Sequence, residues 1–385
     1  MKIAVIGVYY ASNLGDAIIC DCVAFWLKKK WPSASIDIID IENKKEFAKQ
    51  TDTSLRTLEY RSWKLKWEYW QTKHHIKDWM YYWNKTDVES RREFYKQIAE
   101  KGYDAAVFAG GQIFMDWLSM DLAAFLHCFE KAKTPVYLNA CGVGISISSQ
   151  IRDTLRQYLL NDNVKLISTR DNQKEIEKLY VNHQKKVSKT YDPALWTREV
   201  YPSVPKLSTN IVGLGVMYSN HAPLSKITGF WMQMIKQLST KGIPWKMFCN
   251  GSIDDYNYAA YILKKAGLKQ EEYLYDCAQR PDELVQQIAS FRSLISFRLH
   301  SHIVATSFHI PAIAVVWDEK LRFYYRNLGH EERCKTIWDK PDSVLQALEI
   351  AENEGYDIDL IKKQKKFARQ LLLESLDGEE HIEQR

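Results

Sequence analysis

Ser293-Leu294-Ile295-Ser296-Phe297-Arg298-Leu299-His300-Ser301-His302, with Ile310-Pro311-Ala312-Ile313-Ala314-Val315-Val316-Trp317-Asp318-Glu319-Lys320 a few residues on, decides the fold. Two apolar runs, Ser293–Phe297 and Ile313–Trp317, flank a segment of helical length, Leu299–Phe308. Neither run alternates apolar with polar residues. Both therefore read as strands covered on two faces, the mark of a parallel sheet. In such a sheet ligands bind beyond the carboxyl ends of the strands. His300 falls at the start of the helix and Lys320 at the end of the next strand, so the two share one edge of the sheet. With Arg298 beside them they form a rim for a compact polyanion. His302 and His309 lie within or at the end of the helix and read as structural.

The same alternation extends outward in both directions. In the second half Ile211–Val216 and Trp245–Cys249 are further strands, and Leu224–Thr240, Asp255–Ala266 and Pro281–Ala289 are helices. In the first half the strands are Lys2–Val8, Ile36–Ile41, Ala105–Ala109, Val136–Ala140 and Lys165–Ser168. Helical stretches separate them: Asp16–Lys30, Arg56–Trp83, Val88–Lys101, Met115–Lys131, Gln150–Leu160 and Asn172–Tyr180. The fold class is α/β, with two doubly wound domains facing a cleft. A first domain over 1–200, a Pro-punctuated linker over 201–209, a second domain over 210–345 and a helical tail over 346–385 are expected. With 385 residues the chain can bury two cores.

Composition narrows the function. The excess of 53 basic over 48 acidic residues, a net charge of +5, does not call for nucleic acid but suits a partner with phosphate or carboxylate groups. Seven scattered cysteines without a C-x-x-C pair argue against a disulfide framework or a zinc ribbon and for a reducing cytoplasm. No cluster has metal-ligand spacing, so no metal is expected. There is no signal-peptide core and no apolar run long enough to span a membrane.

Three more strand ends carry candidate residues. Asn13-Leu14-Gly15-Asp16 follows the first strand and opens a helix. Gly15 lets a ligand approach the backbone, and Asp16 either caps the helix or acts as a general base. Its spacing is neither G-x-G-x-x-G nor a Walker loop, which argues against a dinucleotide or P-loop site. Ala109-Gly110-Gly111-Gln112 makes room for a substrate ring or is a plain turn. In Ser168-Thr169-Arg170-Asp171, Asp171 suits a helix cap. Arg170 either holds a carboxylate or phosphate at the cleft rim or pairs with a surface carboxylate.

Taken together these segments resemble the polysaccharide pyruvyl transferase family. The matching pieces are Asn13-Leu14-Gly15-Asp16, Gly110-Gly111, Arg170-Asp171, Asp192-Pro193-Ala194, Arg298-Leu299-His300 and the Ile310-Pro311 to Asp318-Glu319-Lys320 tail, in the family's order. The resemblance implies two Rossmann-like domains of glycosyltransferase-B type. It also implies a phosphoenolpyruvate (PEP) donor as co-substrate, no cofactor, and a sugar acceptor, free or undecaprenyl-diphosphate-linked. PEP binding then falls to Arg170, His300, Lys320 and Arg298. Catalysis falls to His300 as acid and Asp16 as base. Acceptor binding falls to Asn13, Gly15, Gly110, Gly111 and Gln112. Gln112 stands where the family often has a third glycine. The competing functions are a nucleotide-sugar glycosyltransferase of the same architecture and an inactive glycan-binding protein.

One feature matches nothing in that family. Tyr60, Trp63, Trp67, Trp70 and His74 fall on one face of the helix Arg56–Trp83, and from Arg56 to Lys85 seven Lys or Arg face three acidic residues. Such a helix can lie in a membrane interface, stack against sugars or simply cover its own core. The first reading would place the protein at the inner face of the plasma membrane, beside a lipid-linked acceptor.

Overall fold

The computed structural model describes residues 1–47, 79–144, 146, 148–206, 209–219 and 221–378. Its first sheet contains β1 (Lys2–Gly7), β2 (Ser35–Asp40) and β3 (Ala105–Phe108). A short pair follows, β4 (Gly111–Phe114) and β6 (Cys141–Val143), with β5 (Val136–Leu138) between them in the chain. β7 (Val164–Thr169) and β8 (Ser188–Lys189) complete the half. The second sheet holds β9 (Val212–Gly215), β10 (Trp245–Phe248), β11 (Ser293–Ser296), β12 (Ala312–Val315) and β13 (Cys334–Lys335). The orders are β2-β1-β3-β5-β7-β8 and β10-β9-β11-β12-β13, with every pairing parallel. Ala4, Val5 and Ile6 of β1 and Ile313, Ala314 and Val315 of β12 are fully buried, as strands sandwiched between helices must be. The architecture is two Rossmann-like, doubly wound halves, the glycosyltransferase-B arrangement.

Each sheet reverses its winding once. In the first, the chain leaves β1 for β2 on one side and later for β3 on the other. In the second, β9 is followed by β10 on one side and β11 on the other. Ligand crevices open at such switch points. The loop after β1 holds Asn13–Asp16, and the turn after β11 holds Arg298–His300. The two switch points meet: Leu14 N–H donates to Asn250 O at 2.9 Å, from one half to the other. Apolar packing is continuous across the junction, since Val5 and Ile18 belong to the same buried cluster as Leu294 and Val304.

Three local expectations are corrected. The run after β3 is neither a simple turn nor the start of a loop: the chain kinks at Ala109-Gly110 and resumes as β4, while β5 kinks at Asn139-Ala140 and resumes as β6. Gly110 and Gly111 have φ of +133° and +85°, which side-chain-bearing residues rarely adopt. A Cβ at Gly110 would also come within 3.3 Å of Asn139 O and Ala140 O. Next, β12 ends at Val315. Lys320 therefore stands in the first turn of the helix Glu319–Asn327, whose cap is Asp318, accepting from Lys320 N–H at 3.1 Å. Finally, Asp171 does not cap a helix. Its Oδ2 accepts from Val143 N–H at 3.1 Å and so ties β6 to the end of β7.

The helix Pro341–Glu354 packs on the second sheet, whereas Ile358–Asp377 returns to the first half. Trp196 donates its indole N–H to Lys365 O at 3.0 Å, and Lys30 pairs with Asp377 at 2.8 Å. Tyr201, at the start of the stretch read as a linker, is hydrogen-bonded to Asp21 of the helix Gly15–Lys30. The aromatic stripe Tyr60–His74 lies outside the described residues. Among the described residues all seven cysteines are free, and no helix is long and apolar enough to cross a membrane.

Candidate active site

Where the two switch points meet lies a cavity of about 160 Å³. Its walls include Asn13, Asp16, Gln112 and Arg170 from one half and Arg298, His300 and Lys320 from the other. Residues 130 or more apart in sequence are thus brought to one small volume. Arg170 Nη1 lies 3.3 Å from His300 Nε2. Lys320 Nζ donates to Gln112 Oε1 at 3.0 Å and sits 4.4 Å from the centre of the Trp317 ring.

Each cation is held by a carboxylate. Arg170 pairs with Asp192, whose other oxygen accepts from Ala194 N–H at 2.8 Å and opens the 3-10 turn Pro193–Trp196. The Asp-Pro-Ala motif therefore fixes the guanidinium from behind. Arg298 donates from both Nε and Nη2 to Asp255 Oδ2, at 2.9 and 2.6 Å. Asp255 in turn accepts from Tyr218 N–H at 2.9 Å. Lys320 lies 3.4 Å from Asp318. Asp255 is a positioning group that the sequence did not disclose. It sits in the first turn of an ordinary helix, 43 residues before its partner. Such pairing keeps three cations together that would otherwise repel one another.

His300 is buried and packs on the backbone of Gly15. A Cβ at residue 15 would fall 2.2 Å from His300 Cγ and Nδ1. The close approach that Gly15 permits is thus taken by an imidazole from the other half. Burial, reinforced by the charges of Arg170, Lys320 and Arg298, pushes His300 well below its ordinary pKa. Near pH 7 it is therefore a neutral imidazole. Because Arg170 can only donate, Nε2 is the accepting nitrogen and the proton belongs to Nδ1. His302 is a different case. It is buried within its own domain, with Nε2 2.9 Å from Ser296 O and Nδ1 2.9 Å from the Tyr325 hydroxyl, and its pKa falls to about 4 through burial.

Asp16 accepts from Asn13 Nδ2 at 3.0 Å. Burial pushes its carboxyl upward, partly offset by Arg170 and Lys320. Gly111 lies against it, since a Cβ there would come within 3.1 Å of Asp16 Oδ1. Gln112 spans the site: its amide N–H donates to Val143 O at 2.9 Å and its oxygen holds Lys320. Gly110 belongs to the strand kink rather than to the cavity wall. Among the described residues Arg170 Nε and Asn13 Oδ1 at the site are buried without a hydrogen-bond partner, although Arg170 Nε lies 4.0 Å from Asp171 Oδ1. Unmet hydrogen-bonding capacity of this kind suits a polar ligand. Outside the cleft ligand atoms of His330, Glu332 and Glu354 come within 4.8 Å of one another, but Arg333 lies 3.7 and 3.5 Å from the two carboxylates and offsets part of their charge.

The model of one family, polysaccharide pyruvyl transferase, matches residues 13–319, from the Asn13 loop to the helix that carries Lys320. The chain belongs to the polysaccharide pyruvyl transferase family. None of the curated proteins matches the sequence significantly. Among solved structures the chain is similar to S. aureus MnaA, determined with UDP, at 10% identity and a TM-score of 0.55 over 98% of this chain and 96% of that one. It is similar to the UDP-GlcNAc 2-epimerase of Methanocaldococcus jannaschii at 11% identity and a TM-score of 0.56 over 97% and 99%. The lipopolysaccharide outer core galactosyltransferase WaaB, in its apo form, matches at 13% identity and a TM-score of 0.50 over 98% and 99%. At such identities the likeness is one of fold.

Proposed function

We propose that this protein transfers the enolpyruvyl group of PEP to two hydroxyls of a sugar, forming a pyruvate ketal and releasing phosphate. The observation that carries this reading is the convergence of Arg170, Arg298, His300 and Lys320 on one cavity about 160 Å³ in size. PEP packs a phosphate and a carboxylate into one small molecule, and three cations on a small wall match it. A nucleotide sugar also carries a base and two sugars, which a cavity of about 160 Å³ does not hold.

The chemistry follows from the side chains. A proton must be added to the vinyl carbon C3, which makes C2 electrophilic. One sugar hydroxyl adds to C2, phosphate leaves with the C–O electron pair, and a second hydroxyl closes the ketal. Of the two hydroxyl protons, one replaces that used at C3 and the other leaves with phosphate. His300 is the acid in this scheme. The depression of its pKa is consistent with that role, because an incoming polyanion offsets the cations that contribute to it. Proton uptake at Nε2 then accompanies substrate entry. Asp16, whose carboxylate is raised toward neutrality, is the base for an attacking hydroxyl. Arg170 and Lys320 carry the phosphate and carboxylate, and Asn13 and Gln112 line the side from which the acceptor enters.

Thermal shift with PEP, UDP-GlcNAc and GDP-mannose tests the donor, and phosphate release with PEP plus free and lipid-linked glycans tests the reaction. The expected result is stabilisation by PEP and acceptor-dependent phosphate release. Stabilisation by the nucleotide sugars with none by PEP would make the protein a glycosyltransferase instead.

A further inference from the structure

Beside the anion cavity lies a second, larger hollow of about 350 Å³, built by the second half of the chain. The two share one wall, Trp317. That indole is immobilised. Its N–H donates to Phe297 O at 2.7 Å, the His221 ring stacks on it at 4.5 Å with a 33° tilt, and Lys320 lies over it. The lining also includes Trp338, which is 66% exposed and has Lys226 Nζ 5.8 Å from its ring centre. An indole so exposed is unusual for a residue that costs so much to leave in water. It is not on a loose loop. Asp339 Oδ2 accepts from both the N–H and the hydroxyl of Thr336 at 2.7 Å, and Thr336 Oγ1 accepts from Trp338 N–H at 3.3 Å. The turn thus holds the Trp338 backbone in place.

The hollow combines aromatic surface with polar groups, and its charges are not those of an anion site. Asp318 and Glu319 line it beside Arg322, with Glu319 3.7 Å from Arg322 and Asp318 3.4 Å from Lys320. A diphosphate would meet two carboxylates there. A neutral pyranose meets favourable partners instead: its C–H face can lie on an indole and its hydroxyls can bond to carboxylate, guanidinium and the Ser219 hydroxyl.

We propose that this hollow is a sugar-binding subsite, in which Trp338 stacks a pyranose of the acceptor glycan and Trp317 separates that sugar from the anion cavity. The acceptor then enters over the second half as well as over Asn13 and Gln112, and its hydroxyl pair reaches past Trp317 to the donor. The inference rests on the pyruvyl-transfer reading for the acceptor's role, but the subsite itself does not depend on the donor.

Saturation-transfer NMR with the methyl β-glycosides of galactose, mannose and N-acetylglucosamine, in parallel with PEP thermal shift, tests it on the full chain. At least one glycoside is expected to bind, and W338A to weaken it roughly ten-fold, with W338F restoring part of the loss. PEP stabilisation is expected to be the same in all three proteins. Because Trp338 is mostly exposed, its loss leaves the fold intact. No binding by any glycoside, or equal binding in W338A, overturns the subsite whatever PEP does. UDP binding that falls in W338A while glycosides do not bind overturns it in favour of a nucleotide. Failure of PEP to stabilise the wild type counts against the donor reading alone.

Discussion

The two hollows that meet at Trp317 are built on different principles. The anion cavity is a joint product of both halves. Its histidine rests on a glycine of the opposite half, its lysine is held by a glutamine of the opposite half, and its central arginine touches that same histidine. The tryptophan hollow draws its wall from one half alone. A site assembled across a junction depends on how the halves dock, so small changes at the contact reach the chemistry. A site within one half does not. The difference explains why the charged residues need so many partners: Asp192, Asp255 and Gln112 hold the cations in place before any substrate arrives.

The largest effect is expected from the group that joins the two halves at the reacting centre. H300Q keeps the volume over Gly15 but cannot deliver a proton. It is expected to lower phosphate release by ~10²–10⁴-fold while the melting temperature changes little. Near-normal turnover would remove His300 from the chemistry. The same variant tests the protonation argument. His300 is depressed in the free protein by burial and by three cations, so charge brought by PEP raises it. Substrate binding near pH 7 should therefore take up protons, read by calorimetry in buffers of different ionisation heat. PEP's own phosphate also titrates near neutrality, so the uptake attributable to the site is the part that disappears in H300Q. Equal uptake in both proteins would show that His300 stays neutral throughout.

G15A comes next. A methyl at residue 15 would sit 2.2 Å from the imidazole, and neither group has a flexible end to move away. Either His300 turns or the halves separate slightly. A shift on the order of 1 Å at the reacting groups costs about 10²-fold. The comparison becomes sharp when glycoside binding is measured alongside: G15A should spoil transfer and leave the tryptophan hollow untouched. Loss of both would mean that the hollow, too, depends on docking.

Much of the anion cavity is legible in the sequence because strand ends are. Buried β runs followed by helices announce where Asn13–Asp16, Arg170 and His300 must come, and parallel topology sends those ends to one edge. What the pattern does not disclose are contacts between halves. Nothing local in Gly15 says that a histidine 285 positions later will lie against it. Asp255 looks like an acid in the first turn of a helix, where any acid is favourable, so its service to Arg298 carries no signal. Asp171 shows the reverse error, since a residue of good capping type ties two strands instead. The doubled glycine was ambiguous for a physical reason. A strand that kinks and resumes needs the same positive φ as a turn, and only the strand pairing with Cys141–Val143 tells them apart.

Gln112 gives the smallest and most specific effect. Its amide is a neutral link between the halves at the site, accepting from Lys320 at 3.0 Å while its own N–H is spent on Val143 O. Burial already lowers the Lys320 pKa, with Asp318 opposing that shift. In Q112A the ammonium loses a hydrogen-bond partner but keeps Asp318 at 3.4 Å and the Trp317 face. One hydrogen bond to a charged group is worth about 1.5–3 kcal/mol when simply lost, and less where other partners remain. The expectation is a PEP KM raised by roughly 3–10-fold, with kcat nearly constant, because the lysine still reaches the anion but is less well aimed. Q112E separates aim from charge. It holds the ammonium more tightly and adds a negative group to an anion site, so PEP should bind more weakly in Q112E than in Q112A. If Q112E binds PEP as well as the wild type does, the phosphate and carboxylate do not sit on the Lys320 side of the cavity, and the donor must face Arg170 and Arg298 alone.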